Sequence, residues 1–250
     1  MTGVGPGVGE HVAKAYAELG ANVVISARSA DRLDRIAGEI NALSGGKAVP
    51  VAADAGVAAD LGRLVEAAHD HFGRVHIVFN NAAAGVVYAK DGGLWANTDE
   101  VWKTAFDVNV LATWRLAELT TQDMAAHGKG SIISVQSCGG FTPIPPAVAY
   151  GVSKAALAFL TRSLAKALAP AYKGNALCVG SMSPDGKEAE IHKGLGPGRT
   201  QCDQALRCRG RSGRGCRPIG ERRVELHDGK HHLRRRRQSR DDFLTKRAKR

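Results

Sequence analysis

Apolar residues at helical spacing alternate with short, unbroken apolar runs along most of this chain. Val12, Ala15, Tyr16 and Leu19 recur at i, i+3, i+4 and i+7, and Val23-Val24-Ile25 follow Gly20. Leu33, Ile36, Ala37 and Ile40 repeat the stripe, and residues 48–52 (AVPVA) repeat the run. Leu61, Leu64, Val65 and Ala68 precede a run over 75–79. A helical stretch over 99–126 precedes Ile132-Ile133-Ser134-Val135, and a helix over 150–169 precedes a run over 176–179. A stripe lets a helix bury one face, whereas a run without polar alternation suits a strand covered on both faces. Helices alternating with such strands predict an α/β fold, a doubly wound parallel sheet of Rossmann type.

The 250 residues are enough for one large α/β domain with a sizeable core. No apolar stretch is long enough to span a bilayer and no basic segment leads into an apolar one, so the chain reads as cytoplasmic with no membrane partner. The net charge of +11 invites a nucleic-acid reading until it is located. Residues 1–198 hold 17 Lys and Arg against 18 Asp and Glu, whereas residues 199–250 hold 18 against 6. This contrast predicts a balanced domain over 1–195 and a disordered, Arg-rich tail over 196–250. The tail has no interleaved aromatic residues for stacking on bases, which argues against specific nucleic-acid binding. None of the five cysteines (138, 178, 202, 208, 216) has CxxC spacing, and no metal site is expected.

The chain opens TGVGPGVG over residues 2–9 and runs straight into the first stripe. Glycines let a backbone approach a pyrophosphate, and free N–H groups at a helix start hold its charge. Two later strand ends carry polar residues where a dinucleotide would lie: Asp54, and Asn80-Asn81. Each has a plainer reading as a turn or cap residue. Tyr150 is the one tyrosine with lysine four positions on, Lys154. On a helix that spacing puts an ammonium close to the phenol, where it favours the phenolate and readies the group for proton transfer. Ser137 lies at the end of the run that begins at Ile132, and Asn109 lies upstream in DVNV.

Together these pieces resemble the short-chain dehydrogenase/reductase family: TGVGPGVG, the NNA of residues 80–82, Asn109, Ser137 and YGVSK at 150–154, in the family's order. The resemblance implies an oxidoreductase moving a hydride between a nicotinamide cofactor and a carbonyl or alcohol substrate. Tyr150 would be the general acid/base, and Lys154 would assist the phenol and hold the nicotinamide ribose. Ser137 would orient the substrate oxygen, and Asn109 would anchor a water in the proton relay. Gly3, Gly7 and Gly9 would line the pyrophosphate, Asp54 the adenine edge, and Asn80 the cofactor side of the sheet. Arg28, at the end of the second family strand, favours NADP(H) by pairing with a 2′-phosphate; NAD(H) is the alternative, because the glycine loop lacks a second basic residue. The family also suggests a homo-oligomer.

Departures from the family are equally specific. Met1 stands where the family's first, central strand should end, so that strand is expected to be lacking through a start placed too late. The family's last strand is also not visible in 196–250. Residues 218–237 (PIGERRVELHDGKHHLRRRR) permit, one base later, a segment of the LLASDASSYTTG type, so the tail looks like the family C-terminus read out of frame. Two rival readings follow: a damaged, inactive copy of such an enzyme, or a basic nucleic-acid-binding protein acting through its tail.

Overall fold

Each expected run becomes a strand. The computed structural model describes residues 1–84, 93–169 and 172–179. These belong to the unit Met1–Ile219; a second unit, Gly220–Arg250, lies outside the described residues, as does the expected boundary at 195 and the tail beyond it. The strands are β1 (Val23–Ala27), β2 (Ala48–Ala52), β3 (Ile77–Asn80), β4 (Gly130–Ser137) and β5 (Tyr172–Val179). Helices α1 (Val8–Glu18), α2 (Ala30–Asn41), α3 (Ala58–Phe72), α4 (Asp99–Phe106), α5 (Ala112–Ala126) and α6 (Val148–Ala167) alternate with them. Among the described residues no helix is long and apolar enough to cross a membrane.

All strand pairs are parallel: β1 with β2, β3 with β4, and β4 with β5. Pro50 stands opposite Ile25 in β2, which among the described residues pairs on one side only. A residue without an N–H is tolerated at such an edge. Residues 1–4 bridge the two hydrogen-bonded groups of strands. The Met1 amine donates to the Val24 carbonyl at 2.7 Å, and Ser26 N–H to the Met1 carbonyl at 2.9 Å. On the other side Thr2 N–H donates to the Phe79 carbonyl at 3.0 Å, and Asn81 N–H to the Thr2 carbonyl at 3.3 Å. The spatial order is therefore β2, β1, residues 1–4, β3, β4, β5. Within this connection an isolated parallel bridge joins Thr2 to Asn80. The region expected to lack the last strand lies outside the described residues.

The core has two parts. Leu33, Ile36 and Ile40 of α2 and Ala13 and Ala17 of α1 close over Ile25 and Val4. Leu61, Leu64 and Val65 of α3 and Leu116, Ala117 and Met124 of α5 close over Val24, Val78 and Ile132. The periodicity of 99–126 predicts one helix; α4 and α5 are instead joined by a wider π-helical turn, Asp107–Leu111, with Asn109 inside it. Such turns recur where a helix must re-aim a side chain.

Candidate active site

Parallel strands deliver their carboxyl ends to one edge of the sheet, and in doubly wound folds ligands bind in the crevice there. The chain places Ala27-Arg28, Ala53-Asp54, Asn80-Asn81 and Ser137 at those ends.

At Gly3 and Gly9 the glycine loop fits against its neighbours with no room for a side chain. A Cβ on Gly3 would lie 2.5 Å from the Ala82 nitrogen, and one on Gly9 would lie 2.4 Å from the Gly3 carbonyl oxygen. Gly7 caps α1 at φ 95°, and no side chain caps that helix. In its first turn the Glu10 N–H donates to the Gly5 carbonyl at 3.1 Å, which ties the loop to the helix start, the kind of place where an anion binds. Glu10 in that turn is neutralised by Lys14, at 2.8 Å, and Arg35, at 3.1 Å, which hold its carboxyl below the usual carboxylate range. Arg28 is exposed just beyond β1. Arg32, which sequence reasoning missed, reaches the same loop, its Nη1 standing 3.7 Å from where a Gly5 Cβ would be. Among the described residues neither Arg28 nor Arg32 enters an ion pair, while Arg35 on the same helix is paired with Glu10 and Glu39. Two tight glycines, a helix start without a side-chain cap and two guanidiniums outside any ion pair among the described residues fit a phosphorylated dinucleotide. The signal for Arg32 was Ser29, an N-cap residue that starts α2 at Ala30 and puts Arg32 in its first turn.

Asp54 Oδ1 accepts the Gly56 N–H at 2.8 Å, an Asx-turn of the plainer kind expected for such a residue. Asn80 is buried and turns into the protein: its Oδ1 accepts from Thr2 Oγ1, and its Nδ2 donates to Thr113 Oγ1 at 2.6 Å. It ties residues 1–4 to α5. Asn81 Nδ2 donates to the Gly3 carbonyl at 2.8 Å and holds the loop.

At the end of β4, Ser137 Oγ accepts the Gly139 N–H at 3.2 Å. A Cβ on Gly139 would lie 3.6 Å from both Ser137 Oγ and Tyr150 Cε1, so hydroxyl and ring flank one spot. Lys154, fully buried, donates to the Val135 carbonyl at 2.9 Å and stands 5.6 Å from the Tyr150 ring centroid. Burial lowers its ammonium to about 8, partly offset by Cys178. The expected i, i+4 pairing on α6 is thus present. Asn109 is buried, and its side chain is occupied: Oδ1 accepts the Ala84 N–H at 2.9 Å, and Nδ2 donates to the Ala84 carbonyl and to Ser153 Oγ, each at 2.8 Å. Ser153 Oγ in turn donates to the Tyr150 carbonyl at 2.7 Å. Sequence reasoning missed Ser153, which locks the tyrosine turn to the π-helical turn; its place inside YGVSK was the available signal. Residues 180–192 lie outside the described residues.

Comparison with known proteins places the chain in a family. The model of the family described as short chain dehydrogenase matches residues 1–193. A putative ketoacyl reductase 2 of the granaticin polyketide synthase from Streptomyces violaceoruber is 35% identical over 183 residues, covering 72% of this chain and 70% of that protein. L-sorbose reductase from Gluconobacter frateurii, solved with NADPH and L-sorbose, is 30% identical with a TM-score of 0.68, over 74% of this chain and 70% of the other. A 7α-hydroxysteroid dehydrogenase solved with NADH and 7-oxo glycochenodeoxycholic acid is 29% identical with a TM-score of 0.66, over 72% and 68%.

Proposed function

The chain belongs to the short chain dehydrogenase family, and from that premise we propose that it is an NADP(H)-dependent oxidoreductase interconverting a carbonyl compound and an alcohol. When bound, the nicotinamide cofactor supplies the hydride that a carbonyl carbon accepts, or takes the one an alcohol carbon gives up. Tyr150 delivers the proton to the substrate oxygen in reduction and takes it back in oxidation. Ser137 donates a hydrogen bond to that oxygen from the other side. Lys154 favours the phenolate through its charge and holds the cofactor ribose. Asn109 and Ser153 position the tyrosine turn, with the relay water left to the backbone of the π-helical turn. Gly3, Gly7 and Gly9 admit the pyrophosphate to the N-terminus of α1, and Asp54 borders the adenine. Arg28 and Arg32 together pair with a 2′-phosphate, which is the preference for NADP(H) over NAD(H).

The observation that carries this reading is Lys154: a buried ammonium beside the Tyr150 ring, at the same strand end as Ser137. The test is NADPH consumption across a panel of ketones running from sugars to steroids. The wild-type chain is expected to reduce at least one class. Tyr150→Phe keeps the ring and loses the proton, so turnover should fall by about 10²- to 10⁴-fold while NADPH binding persists. Near-normal turnover in that variant would remove Tyr150 from the mechanism.

A further inference from the structure

Asp54 opens a tight turn that is held both from within and from across the fold. Its N–H donates to Asp60 Oδ2 at 2.8 Å, its Oδ1 accepts the Gly56 N–H at 2.8 Å, and its carbonyl accepts the Val57 N–H at 3.0 Å. The outer hold comes from α5. Arg115 donates from Nη1 to the Gly56 carbonyl at 3.1 Å, across 59 residues of sequence. Its side chain is only 27% exposed, and its Nη2 stands 4.0 Å from Asp107 Oδ1, while Asp107 Oδ2 accepts from Lys103 at 2.8 Å. Packing closes the same contact. A Cβ on Gly56 would lie 3.2 Å from Val108 Cγ2, 3.3 Å from Asp54 Oδ1 and 3.8 Å from Asp107 Cβ.

The wide turn brings these groups together. Two regular helical turns take about 7.2 residues, which would leave positions eight apart about 80° out of line. The π-helical turn Asp107–Leu111 takes up most of the extra residue, so Asp107 and Arg115 meet at the same side of Gly56. The turn that encloses Asn109 thus also aims a guanidinium at the loop of Asp54.

We infer that Arg115 is a positioning residue for the adenine half of the cofactor. It acts through Gly56: the guanidinium fixes that residue by its carbonyl, and the N–H of the same residue fixes the Asp54 carboxylate. A charged donor holds a carbonyl more strongly than a neutral one. The inference rests on the dinucleotide reading above, in which Asp54 borders the adenine.

Equilibrium titrations of the full chain separate this role from a general structural one. The ligands are NADPH, adenosine 2′,5′-bisphosphate for the adenine half, and reduced nicotinamide mononucleotide for the other half. Arg115→Met keeps the apolar stem and loses the guanidinium. NADPH and the bisphosphate should each bind about threefold to tenfold more weakly, part of the worth of a charge-assisted bond, while the mononucleotide binds as in wild type. Hydrogen exchange at the Gly56 and Val57 amides should quicken in that variant and stay unchanged along β4. Arg115→Lys keeps a cation and should lose less. If the methionine form does not fold, the lysine form decides, by whether its loss is confined to the adenine half. Equal weakening of both halves, or full affinity for the bisphosphate in both variants, would overturn the role of Arg115 alone. A wild-type chain that binds neither half would overturn the dinucleotide reading, and this role with it.

Discussion

Lys154 and the Met1 amine are both buried amino groups, and each donates to a single strand carbonyl, Val135 at 2.9 Å and Val24 at 2.7 Å. Desolvation lowers both, to about 8 and about 5. Their company differs. Lys154 stands at the carboxyl end of β4 with the Tyr150 ring and Ser137 close by, whereas Met1 sits in mid-sheet at the head of an apolar cavity. In the proposed mechanism the Lys154 cation, which burial disfavours, serves proton chemistry and cofactor binding.

The largest effect should come from removing the useful cation. Lys154→Ala is expected to lower turnover by about 10²- to 10⁴-fold and to weaken cofactor binding as well, because in the proposed mechanism one ammonium serves both phenol and ribose. Steady-state rates and cofactor titration together check this, and unchanged affinity with lost turnover would separate the two roles.

The second effect concerns Met1. Its amine is lowered in the fold relative to 8.0, so between about pH 5 and pH 8 the unfolded chain binds more protons and stability rises with pH. Its contribution is complete above pH 8 and is lost as pH falls through 5, amounting to roughly 4 kcal/mol at 1.36 kcal/mol per unit. Denaturant unfolding across that window should show the slope, and Nα-acetylation should flatten it. A slope unchanged by acetylation would place the effect on other groups.

The smallest effect lies at the cofactor's far end. Arg28→Ala and Arg32→Ala should each reduce the preference for NADPH over NADH by up to about tenfold to a hundredfold, the worth of a charge-assisted contact. Equal affinities for the two cofactors in the starting protein would sink the 2′-phosphate assignment.

The alternation of stripes and runs made the layered parallel sheet legible, because each run lacks the polar alternation of a half-exposed strand. Edges were less legible: β5 begins at Tyr172 rather than near 176, since Lys173 and Asn175 break the apolar run while the backbone continues to pair with β4. The Tyr150 to Lys154 spacing was legible because α6 is regular there. Asn80 pointed toward a cofactor by its place at a strand end, yet its amide is engaged by Thr2 and Thr113, 78 and 33 residues away in sequence. Such distant partners leave no local pattern, and neither does the π-helical turn at Asn109, whose flanking stripes read as one helix.

The central claim is that Lys154 is kept charged and buried for function at a cost in stability. Unfolding of wild type and Lys154→Met in denaturant, from pH 7 to above 10.5, tests it most directly. Because burial lowers the ammonium from 10.5 to about 8, wild-type stability should be complete above 10.5 and fall as pH drops through 8. At pH 7 the methionine variant should therefore be the more stable by about 2 kcal/mol, after allowing for the lost bond to Val135, while being catalytically inert. The gap should close and reverse as pH rises past 10. A variant less stable than wild type at pH 7, or one that still turns over, would contradict the account.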